Sequence, residues 1–336
     1  MATCLFNKNM ENKAIIILGP TCTGKTSLAI NLSKRFNGAI LSADSRQVVR
    51  YMDIGTGKIP AEETNRHVEK LDDRWIVDGV NIFGYDLVNP DEYFSAYDFV
   101  EYCQKVFPAV SRDGKNIFLV GGTGFYIDAV TGKTSLDGVG PNVELRKSLG
   151  KLSTDELAEK LRRLDESAYK TIDTKNPARL LRAVEKAMAG HAGSHSPRRN
   201  GQEIGTHSEE TVAPAVIIGL TAEREILYNR ADTWVDTIFN EKLFEEVKLI
   251  QTRFPKSHRL NGLIYKSAAN YLNSVADLSE SKQRAKFDMH AYIRRQQTWF
   301  KRNDEIKWLN ICDKNFDSKA TSIVLSLING ESELNG

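Results

Sequence analysis

Cysteine is scarce in this 336-residue chain, and its four copies, Cys4, Cys22, Cys103 and Cys312, stand far apart with no CxxC spacing. That excludes a cysteine zinc site and a disulfide framework, and fits a reducing cytoplasm. Histidine is equally thin. His191 and His195 alone share helical spacing, and they sit in GHAGSHS, a poor helix for a metal pair. No apolar run reaches membrane length, and the opening MATCLFNKNMENK lacks the apolar core of a signal peptide, so a cytoplasmic protein with no membrane partner is expected. Charge of one sign is missing overall: 46 Lys and Arg against 44 Asp and Glu leave +2. Only the stretch from Lys282 to Lys307 is biased, with eight basic residues against three acids. It reads either as a solvated face or as a footprint for a polyanion.

What is present is ordinary for a globular protein: 41% hydrophobic and 27% charged residues, enough for one large domain or two modest ones. AIIIL (14–18), AIL (39–41) and NIFLV (116–120) are short, wholly apolar runs next to glycine, the signature of buried parallel strands. A helix is expected from Lys25 to about Phe36, with Leu28, Leu32 and Phe36 on one face, and another over FYIDAV. Strand and helix alternate, which predicts an α/β core with a parallel sheet. From Asn142 to Ala189 the pattern turns helical. Ser153 with Glu156 forms a plausible capping box, and Pro177 suits a first turn. AVIIGL (215–220) then restores the strand signature and returns the chain to the first sheet. The expected organisation is a core of residues 1–131 and 212–336 ending in a helical C-terminal half, a helical insertion at 132–190, and a flexible linker or loop at 191–211, rich in Gly, Ser and Thr.

The segment GPTCTGKT, Gly19-Pro20-Thr21-Cys22-Thr23-Gly24-Lys25-Thr26, satisfies G-x-x-x-x-G-K-[ST] between a predicted strand and a predicted helix. Its glycines let backbone N–H groups turn inward around an anion, and the helix N-terminus adds its dipole. Lys25 neutralises phosphate charge, and the Thr26 hydroxyl can bind magnesium. This is a di- or triphosphate site in a P-loop NTPase-like core. Hydrolases of this type need an acid at the end of another strand to anchor the metal. Here NIFLV runs into Gly121-Gly122-Thr123, with none. Asp44, after the second strand, stands on the ligand edge of the sheet. It is open to three roles: metal ligand, turn carboxylate, or proton acceptor.

GPTCTGKTSLA, SADSRQVVRYMDIGTGK, VGGTGFYIDA, NPARLLRAVE and RRQQTWFKR, in this order, resemble the motifs of the tRNA dimethylallyltransferases (tRNA isopentenyltransferases), over roughly residues 14–309. The chain lacks the C-terminal zinc-finger extension common in eukaryotic members, which makes the resemblance one of bacterial type. The resemblance implies transfer of a dimethylallyl group from dimethylallyl diphosphate to N6 of adenosine at tRNA position 37, releasing pyrophosphate. It implies Asp44 as general base, with Thr26, Mg²⁺, Lys25, Gly24 and Thr21 at the diphosphate and Arg230 beside it. It implies tRNA contacts at Asp44, Ser45, Arg46, Gln47, Thr123, Arg146, Arg179, Arg182, Lys266, Arg294 and Arg295. A monomer meeting the tRNA anticodon loop is expected. The neighbouring readings are an adenylate isopentenyltransferase acting on free AMP or ATP, a small-molecule kinase, and a tRNA-binding relative of low activity.

Three stretches depart from the family pattern. Trp234 replaces the second of two arginines four apart, the first being Arg230. The histidine-containing stretch is replaced by NIFGYDLVNPDEYFSAYDF. Ile264-Tyr265-Lys266-Ser267 stands where G-Y-[KR]-E is usual. Salt bridges to Glu185 are the competing reading of Arg179 and Arg182, and Trp299 and Phe300 read as core.

Overall fold

The structure is a computed structural model, and it describes residues 13–58, 66–134, 136, 142–191, 198–199, 202–203 and 212–330. The chain divides into two compact units, Met1–Thr134 with Glu210–Gly336, and Ser135–Glu209.

The first unit opens with strand β1 (Lys13–Leu18), helix α1 (Lys25–Arg35) and strand β2 (Gly38–Ser42). A meander of β3 (Val68–Lys70), β4 (Trp75–Val77) and β5 (Val80–Phe83) follows, then α2 (Ala96–Arg112), β6 (Asn116–Gly121) and α3 (Gly124–Val130). In the second unit lie α4 (Val143–Leu149), α5 (Thr154–Leu164), α6 (Glu166–Thr171), α7 (Pro177–His191) and a two-stranded pair, β7 (Arg198–Arg199) and β8 (Gln202–Glu203). The chain re-enters the first unit as β9 (Ala213–Thr221), α8 (Arg224–Ile238), α9 (Glu241–Arg253), α10 (Leu263–Leu272), α11 (Leu278–Phe300), β10 (Lys307–Asn310) and α12 (Phe316–Asn329).

The main sheet has the order β10-β9-β1-β6-β2-β5-β4-β3. Every pairing from β10 to β5 is parallel, and β4 and β3 add antiparallel strands at one edge. β1 is central, which explains its composition: Ala14 to Ile17 are fully buried because both faces are covered. Leu28, Leu32 and Phe36 bury the inner face of α1, the first two four residues apart and Phe36 at its cap. The order reverses between β1 and β2, which puts the ends of β1, β2 and β6 together at one mouth.

The second unit has its own core of Leu149, Leu157, Leu161, Leu180 and Val184. Ser153 and Glu156 form a complete capping box on α5, and Pro177 opens α7. Most of residues 191–211 lies outside the described residues, and the four that form β7 and β8 pair as strands. The C-terminal half is mostly helical, but Lys307–Asn310 adds an edge strand to the main sheet.

Candidate active site: a phosphate loop facing a carboxylate

The turn after β1 has to pass the end of β9. A Cβ on Gly19 would lie 2.4 Å from the Leu220 carbonyl oxygen, so glycine is required there by close approach. Thr23 Oγ1 (2.8 Å) and Lys25 Nζ (2.7 Å) both donate to the Pro20 carbonyl and close the loop on itself. Gly24 caps α1 without a side chain, and the first turn carries no acid, so the positive helix end is not neutralised by its own sequence. Burial pulls the Lys25 ammonium down to about 8, against the opposing pull of Asp44 and Cys22.

Asp44 is delivered by the tight fit of β2 against β6. The Ala43 N–H donates to the Val120 carbonyl (2.7 Å), and the Thr123 N–H donates back to the Ala43 carbonyl (3.2 Å). A Cβ on Gly121 would sit 2.1 Å from that Ala43 oxygen. Asp44 Oδ1 accepts the Arg46 N–H at 2.9 Å, an Asx turn that fixes the carboxylate rotamer. Oδ2 has no hydrogen-bond partner among the described residues. Asp44, Lys25 and Thr26 line one cavity of about 370 Å³. Of the roles left open for Asp44, the turn carboxylate is the one seen: Oδ1 shapes the turn, and the residue also lines the phosphate loop's cavity.

The segment that follows Asp44 is clamped from several directions. Gln47 accepts from Ser42 Oγ (2.7 Å) and donates to the Thr56 and Gly57 carbonyls, which leaves a single Oε1 lone pair for any ligand. Lys58 is buried, donating to the Val49 carbonyl (2.7 Å), to Asp53 (2.6 Å) and to Asp86. From α9, Glu246 accepts the N–H groups of Asp53, Ile54 and Gly55 together with the Tyr265 hydroxyl. Burial raises Glu246, and those four donors oppose the rise. Glu246 and Tyr265 reach this segment from about two hundred residues further along the chain, and the resemblance did not assign Glu246 a role.

Helix α11 crosses the same mouth. Gln296, buried, accepts the Thr21 N–H at 2.9 Å and donates to the Gly122 carbonyl at 3.0 Å. Thr123 Oγ1 accepts the Ser45 N–H at 3.0 Å. Tyr292 lies beside Thr123, and its phenol is raised by burial first and by the Asp44 charge second. Arg46 and Arg295 both lie with their guanidinium carbons 5.7 Å from the Tyr292 ring centre. Phe300 is buried in the core as expected, whereas Trp299 is half-buried and donates to Asp128 (2.8 Å). Arg294 is exposed and donates to the Tyr228 hydroxyl (2.8 Å); Lys266 is exposed on α10. Arg230 donates to the Cys22 carbonyl at 2.7 Å, and Trp234, one turn later on α8, lines the cavity beside it.

In the second unit, Arg146 grips Glu185 with two bonds (2.9 and 2.8 Å), and Arg182 adds a third at 2.6 Å. Glu185 is 1% exposed; its pair with Arg146 ties α4 to α7, and its pair with Arg182 lies within α7. Arg179 is exposed, with Asp173 at 3.8 Å.

Among the described residues no three His, Cys, Asp or Glu side chains cluster as metal ligands. The cavity instead offers two separate carboxylates, Asp44 and Asp317, beside several hydroxyls that include Thr26 on the first turn of α1. A site with so few carboxylates fits a small hard cation held largely by water and ligand phosphate oxygens.

A largely parallel sheet whose strand β1 runs into a G-x-x-x-x-G-K-[ST] loop, with Asp44 after β2 across the intervening β6, defines a P-loop α/β protein. The sequence profile of the IPP transferase family matches residues 47–303, and the chain belongs to that family. It is 34% identical over 322 residues to a tRNA dimethylallyltransferase of Halalkalibacterium halodurans, covering 94% of this chain and 96% of that one. The full-length crystal structure of a tRNA isopentenylpyrophosphate transferase from Bacillus halodurans superposes with a TM-score of 0.65 at 30% identity, over 96% of this chain and 99% of that one. A eukaryotic dimethylallyltransferase acting on tRNA shares the fold at 19% identity, with a TM-score of 0.71 over 96% of this chain and 81% of that one.

Proposed function

We propose that the protein transfers a dimethylallyl group from dimethylallyl diphosphate to N6 of adenosine at tRNA position 37. The activity is the one named for its IPP transferase relatives across nearly the whole chain. The observation that carries the mechanism is the Asp44 carboxylate lining the same cavity as Lys25 and Thr26. The diphosphate lies on the phosphate loop, where Gly24, Lys25, Thr26 and the positive end of α1 take up charge as the allylic C–O bond breaks. Arg230, hydrogen-bonded to the loop at Cys22, adds a cation there. The Thr26 hydroxyl would hold Mg²⁺, which neutralises leaving-group charge when bound.

The adenine amine is a weak nucleophile, and it loses a proton as its nitrogen attacks carbon. Asp44 Oδ2 takes that proton, while Oδ1 stays anchored to the Arg46 N–H. The base has to leave its stack to reach the cavity, which is cheap in a single-stranded loop. Ser45, Arg46, Thr123, Arg294 and Arg295 flank the entrance side of Asp44, and Lys266, Arg146, Arg179 and Arg182 supply further charge for the tRNA backbone.

The test offers purified protein unmodified tRNA, AMP and labelled dimethylallyl diphosphate together. Label in tRNA alone is the expected result; label in AMP transfers the assignment to a free-nucleotide enzyme. Asp44→Asn should bind tRNA within a few-fold of wild type and lose transfer by about 10²–10⁴-fold. Unchanged turnover in that variant removes Asp44 from the base role.

A further inference from the structure

A continuous set of hydrogen bonds runs from the phosphate loop to Asp44, and Gln296 is its central link. The Thr21 N–H of the loop donates to Gln296 Oε1 (2.9 Å), and Gln296 Nε2 donates to the Gly122 carbonyl (3.0 Å). The next residue, Thr123, accepts the Ser45 N–H on its hydroxyl (3.0 Å) and reaches Ser45 Oγ at 3.3 Å. Ser45 adjoins Asp44, whose Oδ1 accepts the Arg46 N–H. Tyr292 closes the circuit: from one turn earlier on α11 it lies beside Thr123 and packs on Arg46. One 23-residue helix therefore touches both halves of the reaction centre through two side chains four residues apart.

The packing is built around that amide. A Cβ on Gly122 would stand 2.3 Å from Gln296 Nε2, so the second glycine turn is hollowed to receive it. Gln296 is 5% exposed, and both ends of its amide are used by backbone groups of loops that share no direct hydrogen bond with each other in this circuit. A carboxamide accepts on its oxygen and donates from its nitrogen at once, without charge, and here it does both.

We propose that Gln296 is a positioning residue that sets the separation of the diphosphate-holding loop from the Asp44 carboxylate. It contributes to neither diphosphate affinity nor tRNA affinity by itself. Its effect falls on the transfer step, in which allylic carbon, amine nitrogen and carboxylate must be aligned at once. The inference rests on the proposed prenyl transfer.

Gln296→Met keeps the length of the side chain and removes both hydrogen bonds. Single-turnover transfer at saturating substrates, pyrophosphate Kd and tRNA Kd are measured for it beside wild type. The expected result is a transfer rate lower by about 10²-fold, the scale of a misplacement of about an ångström, with both Kd values within threefold of wild type. A pyrophosphate Kd that weakens in step with the rate would make Gln296 a mere prop for the phosphate loop and overturn the inference; so would an unimpaired rate. Gly122→Ala, which pushes the Gln296 amide aside without altering α11, is read in the same way and decides the matter if Gln296→Met does not fold. Wild-type protein that fails to label tRNA overturns the proposed function and this inference with it. An active wild type beside an equally active Gln296→Met overturns the inference alone.

Discussion

Lys25 carries a conflict that makes it the pH-sensitive residue of the site. Burial disfavours its charge and brings it to about 8, well below an ordinary lysine, yet the diphosphate needs that charge. In the free protein the ammonium is present below about 8 and is lost as pH rises through that value. Pyrophosphate should therefore bind most tightly below pH 8 and weaken above it. The same sign predicts that kcat/KM falls above pH 8 while kcat, measured with the anion already holding the proton on Lys25, stays level further. A titration of pyrophosphate affinity from pH 6.5 to 9.5 checks this, and a flat profile would show that Lys25 does not lose its proton over that range. Trp234 offers a second test at this scale. It places an indole at the cavity wall one turn beyond Arg230, where a cation would meet the diphosphate. Trp234→Arg should tighten pyrophosphate binding by about tenfold, the value of one charge-assisted hydrogen bond. Equal affinity would mean that the side chain at this position points away from the anion.

Among the elements, α4 and α7 depend on a buried carboxylate. Burial pushes Glu185 up, but Arg146, the Asn142 N–H and Arg182 outweigh it, and the net shift is downward. A carboxyl lowered in the folded state adds stability that is present above its unfolded value and lost as pH falls through its folded one. Glu185→Gln leaves two arginines without their counter-charge and should destabilise the second unit by about 3 kcal/mol, measured by chemical denaturation at neutral pH. The main strands were legible because each is a complete signal within five or six residues: β1, β2, β6 and the centre of β9 are buried on both faces and so apolar throughout. β10 was not, because as an edge strand it pairs only with β9 and leaves Trp308 39% exposed, so KWLN has no pattern of its own. The meander of β3 to β5 is too short and too polar to announce itself. The same logic divides the site. The phosphate loop and Asp44 are local motifs, readable from spacing. Glu246 meets the 53–55 turn across some 190 residues and Gln296 meets Thr21 across 275, and no local pattern marks either partnership.

For the molecule as a whole, the division into two compact units separates two kinds of stability. The proposed pyrophosphate site is built from residues of the first unit, while Glu185 is buried in the second. A ligand at 100 times its Kd adds about 2.7 kcal/mol to the state that binds it. Saturating pyrophosphate should raise the thermal midpoint of the first unit, and the same increment should appear in the Glu185→Gln protein, since distant sites add. A smaller increment in that variant, followed by calorimetry, would show that the two units unfold as one. The IPP transferase profile, over residues 47–303, takes in the whole second unit and part of the first, so the match is not confined to either unit.

The turn after β6 has a consequence for how this sequence can drift. Gly121, Gly122 and Gly124 each face an atom less than 2.5 Å from where a Cβ would go: the Ala43 carbonyl, the Gln296 amide and the Trp299 indole. Three different partners, from β2 and from two positions on α11, have used up the space on three sides of four consecutive residues. The three obstacles are unlike: at Gly121 it is backbone, which cannot yield, whereas at Gly122 and Gly124 it is a side chain, which can be displaced from its hydrogen bonds. Thr123 alone carries a side chain, and it is held by its hydroxyl. A substitution in this turn is therefore felt on α11 at two positions and at the end of β2 at the third.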